Sequence, residues 1–195
     1  TDHESNGLKE IAQEYSKKTN FLIMVGAEIL THEGDITVFG LDNLPKEKVH
    51  AQQLVDMANK VGGITISAHP FRHNNRGMGS AIRKTKGLTG IEAFNGSTLP
   101  HDNLYAYGLS YELDLPALGA SDAHVIDALG KYATYIPGTI RDEKDFIESV
   151  KMKKTMPVLY NSGKYESLNI FDKLYTGAES QIVTMNSPQI SRTLI

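Results

Sequence analysis

The sequence predicts an α/β domain, and three observations carry that expectation. Short apolar runs alternate with amphipathic segments along most of the chain, the order expected of strands interleaved with helices rather than segregated from them. Turn residues such as Gly34-Asp35 and Gly62-Gly63 fall between those runs. A chain of 195 residues with 40% hydrophobic content can bury one real core and is too short for two large ones.

The elements follow in order. Thr1-Asp2-His3 reads as the end of a strand that delivers side chains to a site, followed by an Asn6-Gly7 break and an amphipathic helix. FLIMVGAEIL (21–30) and ITVFGL (36–41) are predicted strands joined by a polar turn containing Gly34-Asp35. A helix is predicted from about Pro45, a favourable first-turn residue, with Val49, Leu54, Val55, Met57, Ala58 and Val61 on its apolar face; Gly62-Gly63 stops it. GITISAH (63–69) and GLTGIEAF (87–94) are buried strands separated by a loop rich in Arg, Asn, Gly and Lys. A helical stretch around 101–113, a strand LPALGAS (115–121), a strand ATYIP (133–137) and a helix over 141–154 complete the pattern. Beyond this the rhythm is lost, so the expected organisation is one domain over 1–160 and a C-terminal extension over 161–195 with a short helix near 168–175.

Composition narrows the function. Twenty basic against 23 acidic residues give a net charge of −3, which provides no general basic field for nucleic acid. There is no cysteine, which removes disulfides, thiolate metal sites and thiol catalysis. With no apolar run near membrane-span length and no basic-then-apolar leader, a cytoplasmic protein that does not enter the membrane is expected.

The polar residues fall where chemistry would need them. Glu28 sits inside FLIMVGAEIL, His69 closes ITISAHP, Asp122 and His124 follow PALGAS, and His3 adds to the set. Such groups in apolar contexts are costly unless paired, hydrogen-bonded or bound to a cation. Imidazole and carboxylate without sulfur suit Zn, Mn or Fe, and closely held ions would support metal-assisted hydrolysis by lowering the pKa of bound water. Structural readings stand beside this one. His69 alone fits a buried histidine on a backbone carbonyl, His124 a helix cap, Asp122 a helix N-cap, and Glu28 a carboxylate paired with Arg72 or a lysine. The loop HPFRHNNRGMGSAIRKTKG carries Arg72, Arg76, Arg83, Lys84 and Lys86. Arg72, three residues after His69, is the favoured phosphate clamp, whereas a solvated basic connection is the structural alternative. Asn95 ends a strand or bonds near the metals, and His50, His73 and His101 read as surface residues.

At these residues the sequence resembles a family. TDH (1–3), GAEI (26–29), AHPFR (68–72), GIEAFN (90–95) and GASDAH (119–124) occur in the order and at about the separation of the later motifs of the PHP (polymerase and histidinol phosphatase) family. The resemblance implies a distorted (β/α)7 barrel with a centre of two or three divalent ions that hydrolyses phosphoesters by metal-bound hydroxide. It implies His3, Glu28 as a bridging carboxylate, His69, Asp122 and His124 as ligands, and Asp2 as an orienting neighbour; Asp122 and His124, with Arg72 added for its place three residues after His69, form the expected catalytic set. In many relatives a metal-binding His precedes the apolar residues of ITVFGL, a place where Thr37 stands here. The family's HxH strand lies upstream of its TDH motif, so the chain reads as the later part of such a domain, its first strands absent. A small phosphorylated substrate, a nucleotide included, is the expected partner, and the exposed edges of an incomplete barrel predict self-association. The alternative is a non-catalytic PHP-like phosphate-binding or structural module with an incomplete metal centre.

Overall fold

The computed structural model describes residues 1–169. Six strands, β1 (Asp2–His3), β2 (Ala27–Leu30), β3 (Asp35–Phe39), β4 (Ile64–Ser67), β5 (Gly90–Asn95) and β6 (Ala117–Ala120), form one sheet in chain order. β1 pairs parallel to β2, β3 runs antiparallel to both neighbours, and β4, β5 and β6 are parallel. Helix α1 (Lys9–Thr19) connects β1 to β2, α2 (Ala51–Lys60) connects β3 to β4, and α3 (Pro100–Glu112) connects β5 to β6. A second, antiparallel sheet contains β7 (Tyr132–Tyr135), β8 (Met156–Asn161) and β9 (Lys164–Ser167), with α4 (Glu143–Lys151) between β7 and β8. The two sheets meet at Thr134, whose hydroxyl donates to the Gly119 carbonyl at 2.8 Å and accepts from the Gly119 amide at 3.0 Å.

Strand periodicity explains both faces of the larger sheet. Ala27, Ile29, Ile36 and Val38 turn to one side and pack with Leu54, Val55 and Ala58 of α2. On the other side Phe39, Ile64, Ile66 and Leu118 pack with Phe146, Ile147 and Val150 of α4. The Phe39 and Phe146 rings meet edge to face, 4.9 Å apart. This second face is apolar only at one end. Toward the carboxyl ends of the parallel strands it changes to Glu28, Asp35, His69 and Glu92, the edge at which open α/β sheets place their sites.

Several expectations change. Within 21–30 only Ala27–Leu30 pairs as a strand. α2 begins at Ala51 rather than near Pro45, because Glu33 fixes its start: one carboxylate oxygen accepts the Ala51 amide at 2.6 Å and the other lies 2.8 Å from His50 Nδ1. The (β/α)7 barrel is met as a mixed α/β fold in which β3 is reversed, and among the described residues no ladder joins β6 back to β1. The boundary at 160/161 falls within the β8–β9 hairpin. That hairpin buries Tyr165, whose hydroxyl donates to the Gly130 carbonyl at 3.0 Å. Most of the helix expected near 168–175 lies outside the described residues. Among those described, no helix is long and apolar enough to cross a membrane.

Candidate metal centre

The site begins with a tight turn between β2 and β3. The Thr31 hydroxyl donates to the Gly34 carbonyl at 2.6 Å, and Gly34 adopts a φ of +139°, a conformation that favours glycine. The loop after β4 packs directly on this turn, so that a Cβ at Gly34 would lie 2.5 Å from the Met78 amide nitrogen and 2.7 Å from the Arg76 carbonyl. The Asp35 amide donates to that Arg76 carbonyl at 2.6 Å. This close approach sets the Arg76 side chain against β3.

Three ligand types converge there. His69 Nε2 is 3.4 Å from Glu28 Oε1 and 3.7 Å from Asp35 Oδ2, and the donor atoms of these three residues lie within 4.8 Å of one another. His3, paired in register with Glu28, places Nδ1 3.6 Å from Glu28 Oε1. Asp35 is fully buried and forms a bidentate pair with Arg76, at 2.6 Å from Nε and 3.0 Å from Nη2. The Arg76 guanidinium also approaches His3 Nδ1 at 3.3 Å and Glu28 Oε1 at 4.0 Å. An arginine thus holds the position of a cation among these groups.

A second group stands beside the first. Asp122 accepts from Arg72 and from Asn95 Nδ2, the latter at 3.3 Å. Arg72 also donates to Asn95 Oδ1 at 2.6 Å and to the Thr98 hydroxyl at 3.1 Å. Glu92 joins the groups: Oε2 accepts the His69 amide at 2.6 Å and Asn95 Nδ2 at 3.0 Å. His69 and Asp122 both adopt positive φ, +29° and +46°, which non-glycine residues keep only where their surroundings enforce it. His124 is exposed, with Nδ1 3.8 Å from Asp122 Oδ1.

Electrostatics follow from this crowding. Burial alone would lower the His69 pKa, yet the Glu28 bond and the charges of Glu92 and Glu28 outweigh it and raise it. Burial likewise opposes ionisation of Glu28, but His69 and His3 hold its carboxyl below the usual range. Asp35 is raised, by burial first and by the Glu28 charge, against the pull of Arg76. Glu92 is raised mainly by burial.

Of the residues singled out from sequence, His3, Glu28 and His69 come together, Asp122 and Arg72 pair with each other, and His124 lies at the rim. Asp122 caps no helix, since the next helical turn, Ile126–Ala128, has Val125 at its cap position. Glu28 has His69 and His3 beside it rather than Arg72. Asp2 accepts its neighbouring His3 amide at 2.9 Å. Sequence reasoning missed Asp35 and Glu92. Asp35 falls in the turn expected from the sequence, whereas in the structure it stands two residues before Thr37 on the same strand face and brings a carboxylate to the cluster. Glu92, a carboxylate inside an apolar strand, carried the same signal as Glu28.

The donor set fits a divalent ion. Glu28, Asp35 and His69 offer nitrogen and oxygen ligands, and among the described residues the buried His69 Nδ1 has no hydrogen-bond partner. The fold and this cluster define an α/β protein with a candidate metal centre at its strand ends. Residues 100–155, from α3 through α4, match a family described as PHP-associated. This match agrees with the resemblance read from the motifs. It is 27% identical over 96 residues to the uncharacterized protein MJ1587 of Methanocaldococcus jannaschii, a match covering 49% of this chain and 55% of that protein. The chain therefore spans about half the length of this curated relative. Its fold is similar to that of a candidate metal-dependent phosphoesterase from Bifidobacterium adolescentis, with a TM-score of 0.55 and 14% identity over 76% of this chain and 83% of that one. It is also similar to PsfC from Pseudomonas syringae, with a TM-score of 0.58 and 22% identity over 72% of this chain and 61% of that one.

Proposed function

We propose that this chain provides the centre of a PHP-type metal-dependent phosphoesterase acting on a small phosphate monoester or a nucleotide end. The observation that supports it most is the convergence of Glu28, Asp35 and His69 at the strand ends, joined through Glu92 to the Arg72–Asp122 pair. Divalent Zn, Mn or Fe bound there would polarise a phosphoryl oxygen and lower the pKa of a water. His3, Glu28, Asp35 and His69 are the residues to hold one ion, and Asp122 with His124 those to hold another. Arg72, anchored by Thr98 and Asn95, keeps a positive charge beside Asp122 that suits bidentate contact with phosphoryl oxygens. Glu92 holds the His69 backbone and Asn95 and so fixes the ligand-bearing segment.

A second reading, a non-catalytic phosphate-binding or structural module, draws on a specific feature. Arg76 and Arg72 already neutralise Asp35 and Asp122, so the charges balance without added ions. Turnover of a generic phosphomonoester with added Mn2+ or Zn2+ separates the two. Replacement Asp122→Ala should abolish that turnover while leaving the circular dichroism spectrum intact. Unchanged turnover in the variant would overturn the assignment.

A further inference from the structure

The geometry points to a second transition-metal site, separate from the Glu28 centre, formed by His73, His101 and Asp102, whose occupancy pins the arginine-bearing loop to α3. Asp102 lies in the first turn of α3, and its side chain is only 9% exposed. Its Oδ1 lies 3.3 Å from His73 Nε2 and 3.4 Å from His101 Nε2, and the three donor atoms lie within 4.8 Å of one another. A buried acid at a helix start is ordinary. The informative feature is that two imidazoles, 77% and 71% exposed, come from different elements to the same carboxylate oxygen. Exposed side chains have rotamer freedom to point elsewhere, and each such restraint opposes that freedom.

Two imidazole nitrogens and one carboxylate oxygen form a donor set for Zn2+, Co2+ or Fe2+, with coordination positions left for water; Mg2+ and Ca2+ prefer all-oxygen surroundings. No residue is shared with the Glu28 cluster, so this site does not rest on the proposed activity.

The location gives the ion a role. His73 follows Arg72 directly, in the loop that also carries Arg76, whereas His101 and Asp102 belong to α3. The same two elements already touch through Phe71 and Tyr105, whose rings meet edge to face at 5.3 Å. The α3 side is a firm platform. Asn103 accepts the Asn95 amide at 3.1 Å and donates to the Asn95 carbonyl at 3.0 Å, tying the first turn to the end of β5. An ion bridging His73 to this platform restrains the backbone next to Arg72, and through it the contacts of Arg72 with Asn95 and Asp122.

The test is a Zn2+ titration of the tag-free chain by calorimetry, with hydrogen exchange followed over residues 70–78. His73→Ala/His101→Ala is the informative variant, because both side chains are exposed and their loss leaves the core intact. It should lose one equivalent of Zn2+ bound at micromolar concentration, and the zinc-dependent protection of residues 70–78 should disappear. Glu28→Gln/His69→Ala should keep that equivalent, even if the strand-end centre binds nothing. Equal stoichiometry and affinity in the wild type and the double-histidine variant would overturn the second site. Loss of the equivalent without any change in loop protection would overturn the pinning role.

Discussion

Arg76 is the residue whose replacement most directly probes the strand-end centre. Its guanidinium forms two bonds with Asp35, which is fully buried, while the arginine side chain itself is 35% exposed. Breaking a buried ion pair by removing one partner costs about 3–5 kcal/mol. Arg76 is partly in water and Asp35 can escape some of the penalty by taking up a proton, so about 2–3 kcal/mol is the expected loss. Arg76→Met keeps the stem and removes the charge. Without metal, the variant should melt roughly 4–12 °C lower, at about 2–4 °C per kcal/mol for a chain of this size. The sign reverses for metal. In the wild type an ion must displace the guanidinium from Asp35, and in the variant it need not, so the first Zn2+ or Mn2+ should bind roughly 30- to 150-fold more tightly. Differential scanning fluorimetry with and without metal, together with calorimetric titration, reads both effects. Equal affinities in the two proteins, or an unchanged metal-free melting temperature, would refute the reasoning that Arg76 occupies a cation position.

Two further outcomes are expected. Phe146 is fully buried against Phe39 at the apolar end of the sheet, so Phe146→Ala should cost about 3–5 kcal/mol in urea denaturation; a loss under about 1 kcal/mol would mean that α4 is not packed as described. Metal affinity should fall as the pH is lowered, because a ligating histidine must lose its proton and the His69 pKa is raised above its ordinary 6.5. The fall should begin above pH 6.5 and approach roughly tenfold per unit for one displaced proton. Calorimetry in two buffers of different ionisation enthalpy measures that proton, and pH-independent affinity would contradict the assignment. Stability of the metal-free protein moves the other way with pH. The contribution of protonated His69 is full below the unfolded value and is lost as pH rises through the raised folded one.

The sequence by itself determined the α/β alternation and the position of His3, Glu28, His69 and Asp122 at or near strand ends. Those readings rest on local signals: hydrophobic periodicity, turn residues, and a polar group at the end of or inside an apolar run. The same signal in GIEAFN marks Glu92, a carboxylate set among apolar strand residues. The start of α2 was not local, because it is set by Glu33 reaching across from the β2–β3 turn to the Ala51 amide. Only the tertiary structure decided that Asp35 joins the centre and that arginines face its acids. Arg76 meets Asp35 across 41 residues of chain, and Arg72 meets Asp122 across 50. The Arg76 pairing depends on the reversed direction of β3 and on the loop closing over Gly34, where the absence of a side chain lets two backbones touch. Periodicity states which face a residue takes; the packing of distant segments chooses what it meets there.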